Sequence, residues 1–130
     1  GQAEEACPEV LDWKGDLVEE LTAAVEAQER TIEAAMAQES AGVRDNLFSA
    51  PIYQAECQRV RFALTAYVRG RLRKIVRGAG HLVADDAALA RLSPREHDFC
   101  RTFLDLCAKH HKAAFLRNLP PAIADDAALA

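Results

Sequence analysis

Residues 59–75 read RVRFALTAYVRGRLRKI. At 100° per residue, with Arg59 at zero, the apolar side chains of this stretch and of the residues just before it gather on one arc. Tyr53, Cys57, Val60, Leu64, Tyr67, Val68, Leu72 and Ile75 fall between about 80° and 220°. A helix with so wide an apolar face buries it against two neighbours. Pro51 suits its first turn, and Gly78 and Gly80 mark its expected end, so the spacing predicts a helix over 51–77.

The bases of this helix divide into two sets. Arg59, Arg69, Arg73, Lys74 and Arg77 lie on the outer side, between about 280° and 60°. They form either a solvated face or a basic patch for a protein or a nucleic acid. Phe62, near 300°, is the one aromatic among them, whereas single-strand binders stack bases on several rings. Arg61 and Arg71 fall inside the apolar arc. A buried guanidinium needs a partner. We expect each to meet carboxylates, from the acidic first segment or from another subunit; the alternative is that both snorkel out to water.

Working outward, a helix is expected upstream from Asp16, with Glu19 completing a capping-box pattern and Gly42 as its stop. Leu17, Leu21, Val25, Ile32 and Met36 give it an apolar stripe. Downstream, Ser93-Pro94-Arg95-Glu96 signals a helix N-terminus, with Ser93 as cap, Pro94 at the first position and Glu96 closing the box. That helix should reach Asn118, ahead of Pro120-Pro121. Phe99, Phe103, Leu106, Cys107, His110 and Ala114 form its expected core stripe, with His110 as a hydrogen-bonded core histidine. Leu104, Phe115 and Cys100 form a thinner second line, suited to a partner. No segment alternates apolar and polar residues with β-branched enrichment, so no sheet is expected. The fold class is therefore all-α: three long helices bundled with short connecting ones. The sequence ADDAALA occurs twice, at 84–90 and 124–130, and reads as short helical turns without an assigned role.

The 130 residues suit one helical domain, with 1–15 as a possible disordered tail and 122–130 as a linker or tail. Charge is segregated along the chain. Residues 1–45 hold twelve acids and three bases, 46–80 one acid and seven bases, and 81–130 seven acids and six bases, which gives the net −4. Such halves can attract within one fold or face separate partners. No apolar run approaches a membrane span, and the acidic opening has no secretory-signal pattern. The four cysteines form no CxxC pair and read as free intracellular thiols. Cys100, Cys107 and His111 share a face. Even so, Cys100 and Cys107 stand roughly 10.5 Å apart along the axis, too far to share one zinc. No P-loop, nucleophile elbow, HExxH or EF-hand pattern occurs. Neither catalysis, a metal nor a cofactor is expected.

Two blocks carry a family resemblance. Arg59, Arg61, Phe62, Tyr67, Arg69, Arg71, Leu72, Lys74 and Ile75 fit the first. Leu92, Ser93, Pro94 and Glu96, closed by Pro120 and Pro121 and spanning Phe99 and Phe103, fit the second. In this order they resemble the helical domain of the Sld-five family of subunits of the eukaryotic GINS complex, over about residues 45–121. The resemblance implies a non-catalytic nuclear scaffold in a heterotetramer of related helical subunits. These would join the minichromosome-maintenance ring and the Cdc-forty-five protein in the replicative helicase, with any DNA contact indirect. It further implies that most of the second long helix is buried in the tetramer. It assigns Arg61, Phe62, Tyr67, Arg71, Leu72, Ile75, Phe99 and Phe103 to packing and interfaces. A β-rich domain that follows the Pro-Pro pair in the family is not included in this sequence. The alternatives are a nucleic-acid-binding module and a generic helical adaptor.

Overall fold

A computed structural model describes residues 2–40 and 49–118. They form five α-helices and no strand: α1 (Gln2–Ala6), α2 (Gly15–Ser40), α3 (Ala50–Ala84), α4 (Asp86–Leu89) and α5 (Pro94–Arg117). The chain divides between Arg73 and Lys74, inside α3, into two compact units.

In the first unit α2 and α3 pack through Val25, Ile32 and Cys57, with Ala50 and Val60 against them. All of these but Ala50 belong to the stripes expected from the sequence. The start of α2 differs. The Lys14 carbonyl accepts the first helical bond, from the Val18 amide at 3.0 Å, so Lys14 is the cap. Asp16 lies in the first turn, where its charge meets the positive end of the helix. The expected stop at Gly42 lies outside the described residues.

The stretch before residue 16 carries structure. Residues 2–6 are helical, and Glu4 and Val10 are buried. The physical reason is an arginine: Arg71 draws this segment onto α3.

In the second unit α3 does not end at Gly78 and Gly80 but continues to Ala84. Burial of Ile75 and Ala79 outweighs the weak helix propensity of the two glycines. A Cβ at either would meet nothing within 4 Å, so neither glycine is required by a close approach. The first ADDAALA copy forms α4, capped by the Asp85 carboxylate accepting from the Ala87 amide. The second copy lies outside the described residues. Helix α5 starts as the sequence predicts: the Ser93 hydroxyl accepts from the Glu96 amide at 3.2 Å and the Glu96 carboxylate accepts from the Ser93 amide at 2.9 Å.

The buried face of α5 is rotated by about 60° from the expected stripe. Cys100 is buried, and Phe103, Leu104 and Cys107 are half-buried, whereas Leu106 and His110 are exposed. The Cys100 thiol faces the Ala79 carbonyl at 3.9 Å. His110 is therefore a surface residue, not a core histidine. Apolar periodicity located the helix but not its inward direction, because a small thiol and the capping Glu96 point inward while Phe99 and Leu106 point out. Pro120 and Pro121 lie outside the described residues.

Candidate functional site

The first unit is organised around Arg71, whose side chain has no solvent exposure. Its guanidinium donates to the Glu4 carboxylate at 3.2 Å and to the Leu11 carbonyl at 2.6 Å. It also lies 5.3 Å from the Trp13 ring and 5.6 Å from the Tyr67 ring. Those rings stack at 5.7 Å, and the Tyr67 hydroxyl accepts from the Lys14 amide at 3.4 Å. A desolvated guanidinium is costly unless paired and hydrogen-bonded. Here a carboxylate, a carbonyl and two π-faces take up its charge. Among the described residues no buried side-chain nitrogen or oxygen lacks a partner.

Arg61 also pairs, but not in a buried setting. Its guanidinium donates to both oxygens of Glu29, at 2.8 and 2.6 Å, with both side chains partly open to solvent. The expectation that Arg61 sits within the apolar packing is corrected. It reaches over the edge of the α2–α3 contact and clamps it from outside. The Arg61 hydrogen bond holds the Glu29 carboxyl below its ordinary value, and the same bond holds the guanidinium above its own.

Between α2 and α3, on the side away from that clamp, runs an open apolar groove. It consists of two hollows of about 260 and 270 Å³ that share Leu21 and Val60. Leu17, Leu21 and Ala24 line one wall; Tyr53, Val60, Ala63 and Tyr67 line the other. Leu17 is 53% exposed and Tyr53 50%. The alanines leave room for another helix to approach. Glu56 and Cys57 also line it, Glu56 paired with Arg59 and Cys57 packed in the α2–α3 core.

The remaining residues singled out from the sequence spread over different surfaces. Phe62, Arg59, Arg69 and Arg73 are exposed on the outward side of α3, with Arg59 held by Glu56 at 3.0 Å. Leu72 is half-buried. In the second unit Ile75 is fully buried, Lys74 half-buried and Arg77 exposed. Phe99 and Phe103 stack at 6.3 Å, Phe99 partly exposed. Within the first unit the structure brings Tyr67 and Arg71 together and leaves Arg61 and Phe62 apart from them. Sequence reasoning missed Glu4, Leu11 and Trp13. The signal was the lone Trp13 beside Val10-Leu11 in an otherwise polar opening.

No helix among the described residues is long and apolar enough to cross a membrane. Nor does any group of three metal-ligating side chains occur among them.

Three relatives are named DNA replication complex GINS protein SLD5. That of Arabidopsis thaliana is 34% identical over 117 residues, covering 90% of this chain and 51% of the relative. That of Homo sapiens is 29% identical over 123 residues, covering 91% and 52%. That of Schizosaccharomyces pombe is 27% identical over 117 residues, covering 90% and 53%. The chain spans about half the length of these curated relatives. Residues 18–115 match the family Sld5, described as GINS complex protein helical bundle domain. They take in most of α2, nearly all of α5 and the helices between, so the chain belongs to the Sld5 family of GINS complex helical bundle proteins.

Proposed function

We propose that this chain is the helical part of a non-catalytic scaffold subunit of a GINS-type DNA replication complex, acting in the nucleus. The observation that carries this reading is the open apolar groove between α2 and α3. Its continuous apolar surface and alanine-lined walls suit a helix from another subunit, seated side by side with the pair. Burying such surface at roughly 25 cal/mol per Å² is the kind of gain that holds permanent complexes together. The relatives' names place them in a DNA replication complex, which supports co-assembly with other GINS subunits. By the same family reading the assembled complex supports the minichromosome-maintenance ring and the Cdc-forty-five protein at the replication fork, its own contact with DNA indirect.

Co-expression with the other three GINS subunits tests this reading. A stoichiometric four-chain complex is expected on size exclusion, reduced when Leu21→Glu and Val60→Glu charge the groove. A monodisperse monomer that ignores all three partners would overturn it.

A further inference from the structure

The outward side of α3 in the first unit is a second exposed surface. Phe62 is 77% exposed there. Arg69 and Arg73 lie within about 20° of it around the helix, roughly 10 Å and 16 Å along the axis. An exposed phenylalanine by itself carries no message. The arginines beside it are what distinguish this one.

Five arginines lie between Ala50 and Arg73. Three are held by carboxylates: Arg59 by Glu56, Arg61 by Glu29 and Arg71 by Glu4. Arg69 and Arg73 are exposed and have no ion-pair partner among the described residues. The only acid in this part of α3 is Glu56, and Arg59 occupies it. The two uncompensated guanidinium groups therefore share one lane with an aromatic ring, and Ala66 between them keeps the lane low.

We propose that this lane docks an acidic amphipathic helical segment of a partner protein. An apolar side chain of the segment covers Phe62, and two carboxylates take Arg69 and Arg73 as charge-assisted pairs. A protein fits better than a nucleic acid. One ring offers no succession of stacking platforms. The inference deepens the scaffold reading by adding a second protein surface. Its test reads peptide binding, so its failure is distinct from a failure of co-assembly.

The probe is a labelled alanine-based helical peptide with glutamates at the seventh and eleventh positions after a leucine, the spacing of Arg69 and Arg73 from Phe62. Fluorescence anisotropy on the full chain is expected to show salt-sensitive binding. Binding should weaken about tenfold in the double variant Arg69→Glu/Arg73→Glu and return when the peptide's glutamates become lysines. Phe62→Ala should weaken both pairings. Circular dichroism checks that the variants, all at exposed positions, keep their helix content. No binding, equal binding by the native chain and the double variant, or a preference for an oligothymidylate over the peptide would overturn the proposal.

Discussion

Arg71 is the largest fully buried side chain among the described residues, and it carries a charge. It is fully buried, and its charge is met by Glu4, the Leu11 carbonyl and two rings. Removing one member of a buried pair strands the other, at a cost of about 3–5 kcal/mol. Arg71→Met should lose stability on that scale in urea melts. Adding Glu4→Leu should recover part of it, and strict additivity in that double-mutant cycle would contradict the pair. The cysteines give a second residue-scale prediction. All four are free. Burial pushes the Cys100 thiol up from its ordinary value, and the thiolate is the reactive form. Maleimide labelling followed by mass spectrometry should find half-buried Cys7 and Cys107 modified first and Cys100 only on unfolding. Pairing of Arg61 and Arg71 was legible from their places on an apolar arc. Their partners were not, because Glu29 and Glu4 lie 32 and 67 residues away and periodicity carries no long-range address.

At the scale of elements, helix α3 shows packing overriding propensity. Gly78 and Gly80 read as a stop, yet the helix runs through both. With open space where each Cβ would go, Gly78→Ala and Gly80→Ala should each raise stability by about 0.5–1 kcal/mol, measurable by thermal melting. Gly15 behaves oppositely. A Cβ there would stand 2.8 Å from the Trp13 Nε1, so the indole stacked on Tyr67 would have to shift. The α2–α3 clamp adds a pH dependence. Glu29 has a lowered folded-state pKa, so its support is present above the ordinary carboxylate value and fades as pH falls through the lowered one. The melting temperature should therefore drop more steeply on acidification in the native chain than in Glu29→Gln; identical slopes would show no linkage. Helix α5 was legible at its start, where Ser93, Pro94 and Glu96 make a local device whose hydrogen bonds close within three residues. Its rotation was not, since Phe99 and Leu106 make a convincing apolar stripe on a side the chain leaves partly open.

Across the whole molecule, the all-α class was legible because helical periodicity repeats over long segments, with the Ser93 box marking the start of α5. The division between Arg73 and Lys74 was not, because it falls where the sequence and the helix are both continuous. The exposed apolar surface marks where single-chain reasoning stops. Ile52, Phe62, Leu106 and Phe115 are all more than 60% exposed; of these only Leu106 stood on an expected core stripe, and a helical wheel cannot tell a chain's own interior from one completed by a partner.

The opening residues have a practical bearing. Glu4, Leu11 and Trp13 together accept one positive charge from the middle of the longest helix. A clone trimmed to the first long amphipathic rod, beginning after Lys14, would discard all three and keep the cation. Such a shortened protein should be made only with Arg71 replaced by an uncharged side chain of similar reach.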